Sequence, residues 1–287
     1  VKISIASGKG GTGKTTIATN LALVLSRQGQ PVELLDCDVE EPNCHIFVKP
    51  EFESSRSITI PVPEVDKEKC NSCGICGEVC QYSAIVCLKG SVMVFEDMCH
   101  GCGGCMRFCP EKAITEREKE VGIVEIGHAK GFHFLHGKLK IGQVMAPAVI
   151  RGVKSAARKS EITIIDAPPG TSCSVIEAVK NTDFVILVTE PTPFGLNDLK
   201  LAVGTVRALN LPFAVAINRC DIGDEAVKQY CGAEGINVIL EIPNDRRIAQ
   251  TYSRGEIASE CLGEYADIFT NFAERITGQA IDAKLYG

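Results

Sequence analysis

Residues Gly8–Thr15 read GKGGTGKT and are followed by Thr16. Gly8, Gly13, Lys14 and Thr15 fall at the spacing G-x-x-x-x-G-K-[ST], the pattern of a loop that holds phosphate. Each residue type has a task there. Gly8, Gly10, Gly11 and Gly13 let the chain curl, so that backbone N–H groups through Thr12, Lys14, Thr15 and Thr16 can surround phosphate oxygens. A helix starting at the end of the loop adds favourable partial charge. Lys14 is expected to reach the β- and γ-phosphates, and Thr15 to bind Mg²⁺ through its hydroxyl. The alternative is a turn that is merely rich in glycine. The strand-like VKISIA before the loop and the helical pattern after it argue against that.

A second chemistry lies in the cysteines, of which the chain has 15. Disulfides suit secreted proteins, whereas regular spacing points to metal ligation. Cys70, Cys73, Cys76 and Cys80 form one C-x2-C-x2-C-x3-C run; Cys99, Cys102, Cys105 and Cys109 form another. The segments Cys70–Ile85 (CNSCGICGEVCQYSAI) and Cys99–Ile114 (CHGCGGCMRFCPEKAI) match at a constant offset of 29 residues. This is an internal repeat, and it suggests a module with pseudo-twofold symmetry. With this spacing the fourth cysteine of each run ligates the other cluster. One [4Fe–4S] cluster is therefore expected on Cys70, Cys73, Cys76 and Cys109, and a second on Cys99, Cys102, Cys105 and Cys80. Zinc is the alternative, because C-x2-C pairs bind it too. Pro110 follows the second run where Gln81 follows the first, so the local turns differ.

The elements that must position these groups alternate in type. Near-continuous apolar runs suit strands buried on both faces of a parallel sheet: Lys2–Ala6, Val32–Asp36, Ile162–Asp166, Phe184–Val188, Phe213–Ile217 and Asn237–Glu241. Helical patterns lie between them, at Thr15–Arg27, Cys173–Lys180, Leu196–Leu209 and Asp224–Cys231, with a last one at Leu262–Thr277. The alternation predicts an α/β fold with a doubly wound, mostly parallel sheet. It stops near residue 50, where Ser54–Ser57, Pro61 and Pro63 read as a linker, and resumes at Val121. The expected organisation is a discontinuous nucleotide-binding domain, 1–60 and 120–287, interrupted by a small insert, 61–119.

Hydrophobic residues make up 45% of the 287, enough for a sizeable core, and the net charge is −6. That balance argues against a general nucleic-acid binder. No apolar run approaches the roughly 18 residues of a membrane span. With a strand leading straight into the phosphate loop there is no room for a signal peptide, so a cytoplasmic location is expected.

With Lys9 added, the loop resembles the deviant Walker A motif of the MinD/ParA/Mrp/nitrogenase-iron-protein ATPases. Further segments fit in order. Leu34–Asn43 (LLDCDVEEPN) looks like switch I, and Ile162–Gly170 (ITIIDAPPG) like Walker B with switch II. Ile217-Asn218-Arg219 and Pro243-Asn244-Asp245 resemble adenine-contacting loops. The resemblance implies a P-loop NTPase of SIMIBI type that binds ATP/ADP with Mg²⁺. It further implies a nucleotide-dependent homodimer in which Lys9 contacts the partner's nucleotide. Asp38 would position the attacking water. Asp36 and Asp166 would sit at Mg²⁺, Gly170 would sense the γ-phosphate, and Asn218, Pro243 and Asp245 would face adenine. Slow hydrolysis is expected, because dimerisation completes the site. The insert resembles a bacterial ferredoxin, a small α+β module with two clusters. The composite resembles the MinD-superfamily ATPases that contain such an insert.

The remaining cysteines, Cys37, Cys44, Cys87, Cys220, Cys231 and Cys261, read as small buried or half-buried residues. Cys173 stands seven residues after Asp166, where the nitrogenase iron protein has a bridging cluster ligand; with no evident second bridging cysteine, a structural thiol is the preferred reading. The stretch Ile126–Ser160 contains no Asp or Glu but holds Lys130, Lys138, Lys140, Arg151, Lys154, Arg158, Lys159, His128, His133 and His136. It reads as a solvated basic face with loop histidines, or as a docking surface for an acidic partner. Three purposes fit the parts. The first is ATP-gated electron transfer to a redox partner. The second is an Mrp-like iron–sulfur carrier. The third is a positioning ATPase, disfavoured because the C-terminus GQAIDAKLYG is no amphipathic tail.

Overall fold

Apolar runs of five to eight residues set the architecture. In the computed structural model, which describes residues 1–158 and 160–286, they become the central strands of one large sheet. The strands are β1 (Lys2–Ser7), β2 (Val32–Asp36), β3 (Glu51–Val65), β4 (Ile85–Leu88), β5 (Ser91–Val94), β6 (Ile114–Ala129), β7 (Phe132–Leu139), β8 (Ile162–Pro169), β9 (Phe184–Thr189), β10 (Phe213–Asn218) and β11 (Val238–Ile242). The helices are α1 (Lys14–Arg27), α2 (Cys44–Val48), α3 (Ile75–Val79), α4 (Gly104–Arg107), α5 (Ala146–Ala156), α6 (Cys173–Val179), α7 (Pro193–Ala208), α8 (Ala226–Ala233), α9 (Arg246–Ser253), α10 (Ala258–Cys261) and α11 (Gly263–Tyr286). Nine strands form the order β11-β10-β9-β1-β8-β2-β7-β6-β3, and β4 and β5 pair separately. From β11 to β7 the neighbours are parallel; β6 and β3 add an antiparallel edge.

Successive side chains of a strand point to opposite faces. Leu34, Ile164 and Ile186 accordingly pack on one side with Ile17 and Leu21 of α1 and Tyr265, Phe269 and Phe272 of α11. Leu35, Ile165 and Leu187 pack on the other with Val149 of α5, Val175 of α6 and Val203 of α7. Both faces are covered, so the central strands read as continuous apolar runs. Helix α7 starts earlier than the periodicity predicts, at Pro193, because Thr192 caps it by accepting from Gly195 N at 3.0 Å and proline suits the first helical turn. Helix α11 continues past Thr277 to Tyr286. Among the described residues, no helix is long and apolar enough to cross a membrane.

Two expectations are corrected. Ser54–Ser57, Pro61 and Pro63 are not a linker but part of β3, which pairs with β6 from Glu51↔His128 to Val65↔Ile114. An edge strand tolerates proline because one side of its ladder needs no donor. The histidines of the acid-free stretch are not in a loop: His133 and His136 lie on β7 and are 6% and 0% exposed. Their acids come from other strands. Glu33 of β2 meets His133 Nδ1 at 2.7 Å, and Glu125 of β6 meets His136 Nε2 at 2.8 Å. Lys159 lies outside the described residues.

The β3–β6 ribbon carries the segment between residues 65 and 114 at its far end. That segment repeats its backbone as well as its sequence. Ser72 and Gly101, Gly74 and Gly103, and Ser83 and Lys112 pair at the repeat offset, and all six have positive φ. Asp66 N donates to Ala113 O (2.8 Å) as Phe95 N does to Ala84 O (2.7 Å), a reciprocal exchange between the halves. β4 and β5 join through Lys89 and Gly90, both with positive φ, as a tight primed turn requires. Ala84 and Cys99 pack into the same apolar cluster as Ile60 and Val62 of the ribbon and Met145 before α5. Gln143 Nε2 donates to Asp97 Oδ1 at 2.7 Å, so the segment also touches the loop before α5.

Candidate functional site

The phosphate loop joins β1 to α1. Gly11 and Gly13 have φ of 77° and 97°, so the curl demands glycine there. Lys14 is the first residue of α1 and is 6% exposed. The loop is braced from two sides. An added Cβ on Gly8 would lie 2.3 Å from Asp198 O of α7, and Asn218 Nδ2 donates to Thr12 O at 2.9 Å.

Beside the loop, β2 and β8 bring together three acidic groups: Asp36, Asp166 and, just beyond β2, Asp38. Asp36 and Asp166 are register partners on β2 and β8, both fully buried. Asp36 Oδ2 accepts from Asn43 N and Cys44 N (3.0 Å each), and Oδ1 accepts from Asp38 N at 3.1 Å. Asp166 Oδ2 accepts from the Thr15 hydroxyl at 2.6 Å and from the Cys44 thiol at 3.3 Å. Asp166 Oδ1 has no hydrogen-bond partner among the described residues. Burial raises both carboxyls above the usual range, and for Asp36 the facing Asp166 adds to it. Asp38 is pushed up to about 6 by burial and by Asp166, against the pull of Lys14. Two facing buried carboxyls can both ionise only with a cation beside them, and Asp166 Oδ1 lacks a hydrogen-bond partner among the described residues, so the donor set fits Mg²⁺. Cys44 is more than a small buried residue. Its thiol shares this centre, and its ligand atom lies within 4.8 Å of those of Asp36 and Asp166. The backbone of α2 brings it there, which no local spacing signals.

A cleft of about 410 Å³ opens above the loop, within the size range of small-molecule sites. Gly10, Gly11, Gly13, Lys14, Thr15, Thr16, Asp38, Asn218, Pro243 and Asp245 line it. Thr12 is buried beneath it. Three expected contacts are engaged within the protein instead. Gly170 N donates to Ser7 O at 2.9 Å. Asn218 braces Thr12 and accepts from Arg219 N at 3.0 Å. Asp245 caps α9 and pairs with Arg247, which holds its carboxyl down at about 2. Arg219, Arg246 and Tyr252 also line the cleft. Sequence reasoning missed them, although Arg219 directly follows Asn218. Lys9 points elsewhere, to Glu190 Oε2 at 3.3 Å.

The cysteines gather in two sets at the ribbon's end. One cavity is lined by Cys70, Cys73, Cys76 and Cys109. The other is lined by Cys80, Cys99, Cys102 and Cys105. Each set takes three thiols from one run and the fourth from the other. Burial raises the thiols of Cys76, Cys99 and Cys105, the last to about 11, so these positions hold neutral thiols unless a cation draws off the proton. Four cysteines line each cavity, a donor set that fits a four-thiolate metal centre. Cys87 lies outside both sets and donates its thiol to Ser72 O. Cys261 is exposed rather than buried or half-buried, and Cys173 is exposed as well.

Backbone bonds join the segment after Asp38 to the ribbon. Leu139 N of β7 donates to Val39 O of the segment after Asp38 at 2.8 Å, and Lys140 N donates to Val121 O of β6 at 2.9 Å. The ribbon therefore meets the nucleotide side through β7.

A glycine loop between β1 and α1, a buried acidic pair beside it and a mostly parallel sheet define a P-loop nucleotide-binding protein. The chain belongs to the CobQ/CobB/MinD/ParA nucleotide-binding domain family, whose model matches residues 3–258. It is 32% identical over 257 residues to uncharacterized protein MJ0579 of Methanocaldococcus jannaschii, covering 88% of this chain and 90% of that one. It is 26% identical to the iron-sulfur cluster carrier protein of Aquifex aeolicus, over 99% of this chain and 68% of that one. Among solved structures, the Pyrococcus furiosus cell division ATPase MinD matches with a TM-score of 0.61 at 20% identity, over 97% of this chain and 98% of that one; this likeness concerns the fold.

Proposed function

We propose that this chain is an ATP-hydrolysing iron–sulfur protein of the cluster-carrier class, in which nucleotide state governs two four-cysteine sites. The observation that carries the reading is the division of eight cysteines into two crossed quartets around two cavities. Relatives named iron-sulfur cluster carrier proteins support it, among them those of Aquifex aeolicus and Pyrococcus furiosus.

Positioning and charge neutralisation do most of the work in phosphoryl transfer. Lys14 and the loop amides would hold the phosphates. Thr15, Asp36 and Asp166 would hold Mg²⁺, which supplies charge neutralisation when bound. Asp38, half-buried and raised to about 6, orients the attacking water and takes its proton. Hydrolysis is slow in the single protomer, because Lys9 completes the site only across a homodimer. The two quartets would each hold a [4Fe–4S] cluster, which supplies one-electron chemistry or is itself the cargo.

A second reading, ATP-gated electron transfer to a redox partner, is favoured by the closure of the quartets. Four protein thiols per site complete the ligation of a cube, which favours retention over release. The test is cluster transfer to an apo-ferredoxin from the anaerobically reconstituted protein, with and without MgATP. ATP-accelerated loss of cluster supports the carrier. Retained clusters whose potential shifts with nucleotide support electron transfer. Indifference to ATP in both assays sinks the proposal.

A further inference from the structure

Glu190 follows β9, and its side chain is only 8% exposed. Its backbone is closely held. Glu190 O accepts from Thr192 N at 2.8 Å, and a Cβ on Gly195 would lie 2.2 Å from that same oxygen. Gly223 packs on the adjoining Pro191, where a Cβ would lie 1.7 Å from the carbonyl oxygen. Two cations reach its buried carboxylate. Lys9 Nζ lies 3.3 Å from Oε2 and Arg219 Nη1 lies 3.0 Å from Oε1. The Arg219 contact lacks the alignment of a hydrogen bond. Both cations are partly exposed, at 32% and 48%, so the mobile halves of these pairs are the cations.

We infer that Glu190 is a positioning residue that holds Lys9 back within the single protomer and releases it when a nucleotide-loaded second copy approaches. This rests on the sandwich-dimer reading given above. A buried carboxylate stripped of its only partner is strongly disfavoured, because breaking one side of a buried pair leaves an uncompensated charge. Arg219 removes that obstacle. When Lys9 turns to the partner's phosphates, Arg219 still neutralises Glu190, so the exchange leaves no orphan charge. Arg219 also lines the nucleotide cleft and directly follows Asn218, which braces the phosphate loop. The carboxylate thus sits between the loop that holds the nucleotide and the lysine that must leave.

The experiment is sedimentation velocity of the anaerobically reconstituted chain over a range of protein concentrations, with Mg²⁺ and saturating non-hydrolysable ATP analogue. Glu190→Gln keeps shape and polarity but removes the charge that competes for Lys9. It is expected to tighten the dimer roughly five-fold, the scale of a modest coupling free energy, with no gain in the Lys9→Met background. A merely structural role would weaken the dimer and lower the melting temperature together. An unchanged or weaker dimer in Glu190→Gln, or the same tightening without Lys9, overturns the inference. A Lys9→Met protein that dimerises like wild type overturns the sandwich-dimer reading itself, and is recognised as a separate failure.

Discussion

The Thr15 hydroxyl donates to Asp166 Oδ2 over 2.6 Å, tying the end of the phosphate loop to the end of β8. The candidate cation site is thereby assembled from two distant parts of the chain. Lys14, adjacent to this bond and nearly buried, should be indispensable. Lys14→Ala is expected to lower ATP turnover by at least about a hundredfold, the scale seen when one preorganised charge-stabilising group is lost. Asp38→Asn should cost on the order of 10²–10⁴-fold in turnover while leaving ATP affinity largely intact. Steady-state hydrolysis and equilibrium nucleotide binding check both.

The crossed quartets make a specific claim about pairs of cysteines. Cys109→Ser should empty the site that contains Cys70, although Cys109 belongs to the other run; Cys80→Ser should empty the site that contains Cys99. Each variant should retain about half the iron and sulfide of the wild type, as expected for four-cysteine sites filled independently. If either variant loses all of its iron, the two sites are not independent. Loss of the same cluster in both variants would contradict the crossing.

His136 gives the protein an acid limb. Burial holds its imidazole down at about 4, against the raising effect of Glu125. The folded-state value is below the unfolded one of about 6.5. Between these two pH values the unfolded chain binds a proton that the folded chain does not, so stability falls as pH drops from about 6.5 towards 4. The loss approaches about 3 kcal/mol at the lower end. His136→Gln, which keeps a donor for Glu125, should flatten that part of the pH–stability curve measured by urea unfolding.

Lys154 holds the last turn of α6. Its ammonium donates to Glu177 O, Ala178 O and Lys180 O at 2.9, 2.8 and 2.7 Å. Burial lowers its pKa, yet a cation at a helix C-terminus is well placed. Lys154→Met should leave these carbonyls poorly satisfied and cost about 2–4 kcal/mol, seen as a lower urea midpoint with the slope unchanged.

Much of the fold was legible in the sequence because the central strands are buried on both faces. Runs such as Phe184–Val188 admit few other readings, and the phosphate loop is fixed by its glycines. The ribbon was not legible. Glu51–Ser57 of β3 is exposed along its length, so Ser54–Ser57 and the prolines looked like a linker. What makes them a strand is fourteen residues of pairing with β6, far away in sequence. The histidines failed for the same reason. Nothing near His133 or His136 on β7 is acidic; Glu33 and Glu125 are brought by neighbouring strands. Cys44 was read from its own surroundings as a small buried residue, while its thiol meets Asp166, 122 positions later. Motifs whose parts lie within one turn were readable; contacts made by the sheet were not.

The ribbon also sets the route by which the two sites could communicate. The segment after Asp38 does not run directly to the cysteines. It bonds through Val39 O to Leu139 N of β7, and β7 borders the ribbon. The central claim is that nucleotide state reaches the cysteine sites along this path. The most direct test is to load the protein with clusters anaerobically and follow transfer to an apo-ferredoxin, together with the cluster potentials, with no nucleotide, ADP and MgATP. The account predicts iron and sulfide at both quartets, and a transfer rate or potential that changes with MgATP in the wild type but not in Lys14→Ala. A wild-type protein that binds no iron, or one whose clusters behave identically in all three nucleotide states, would contradict it.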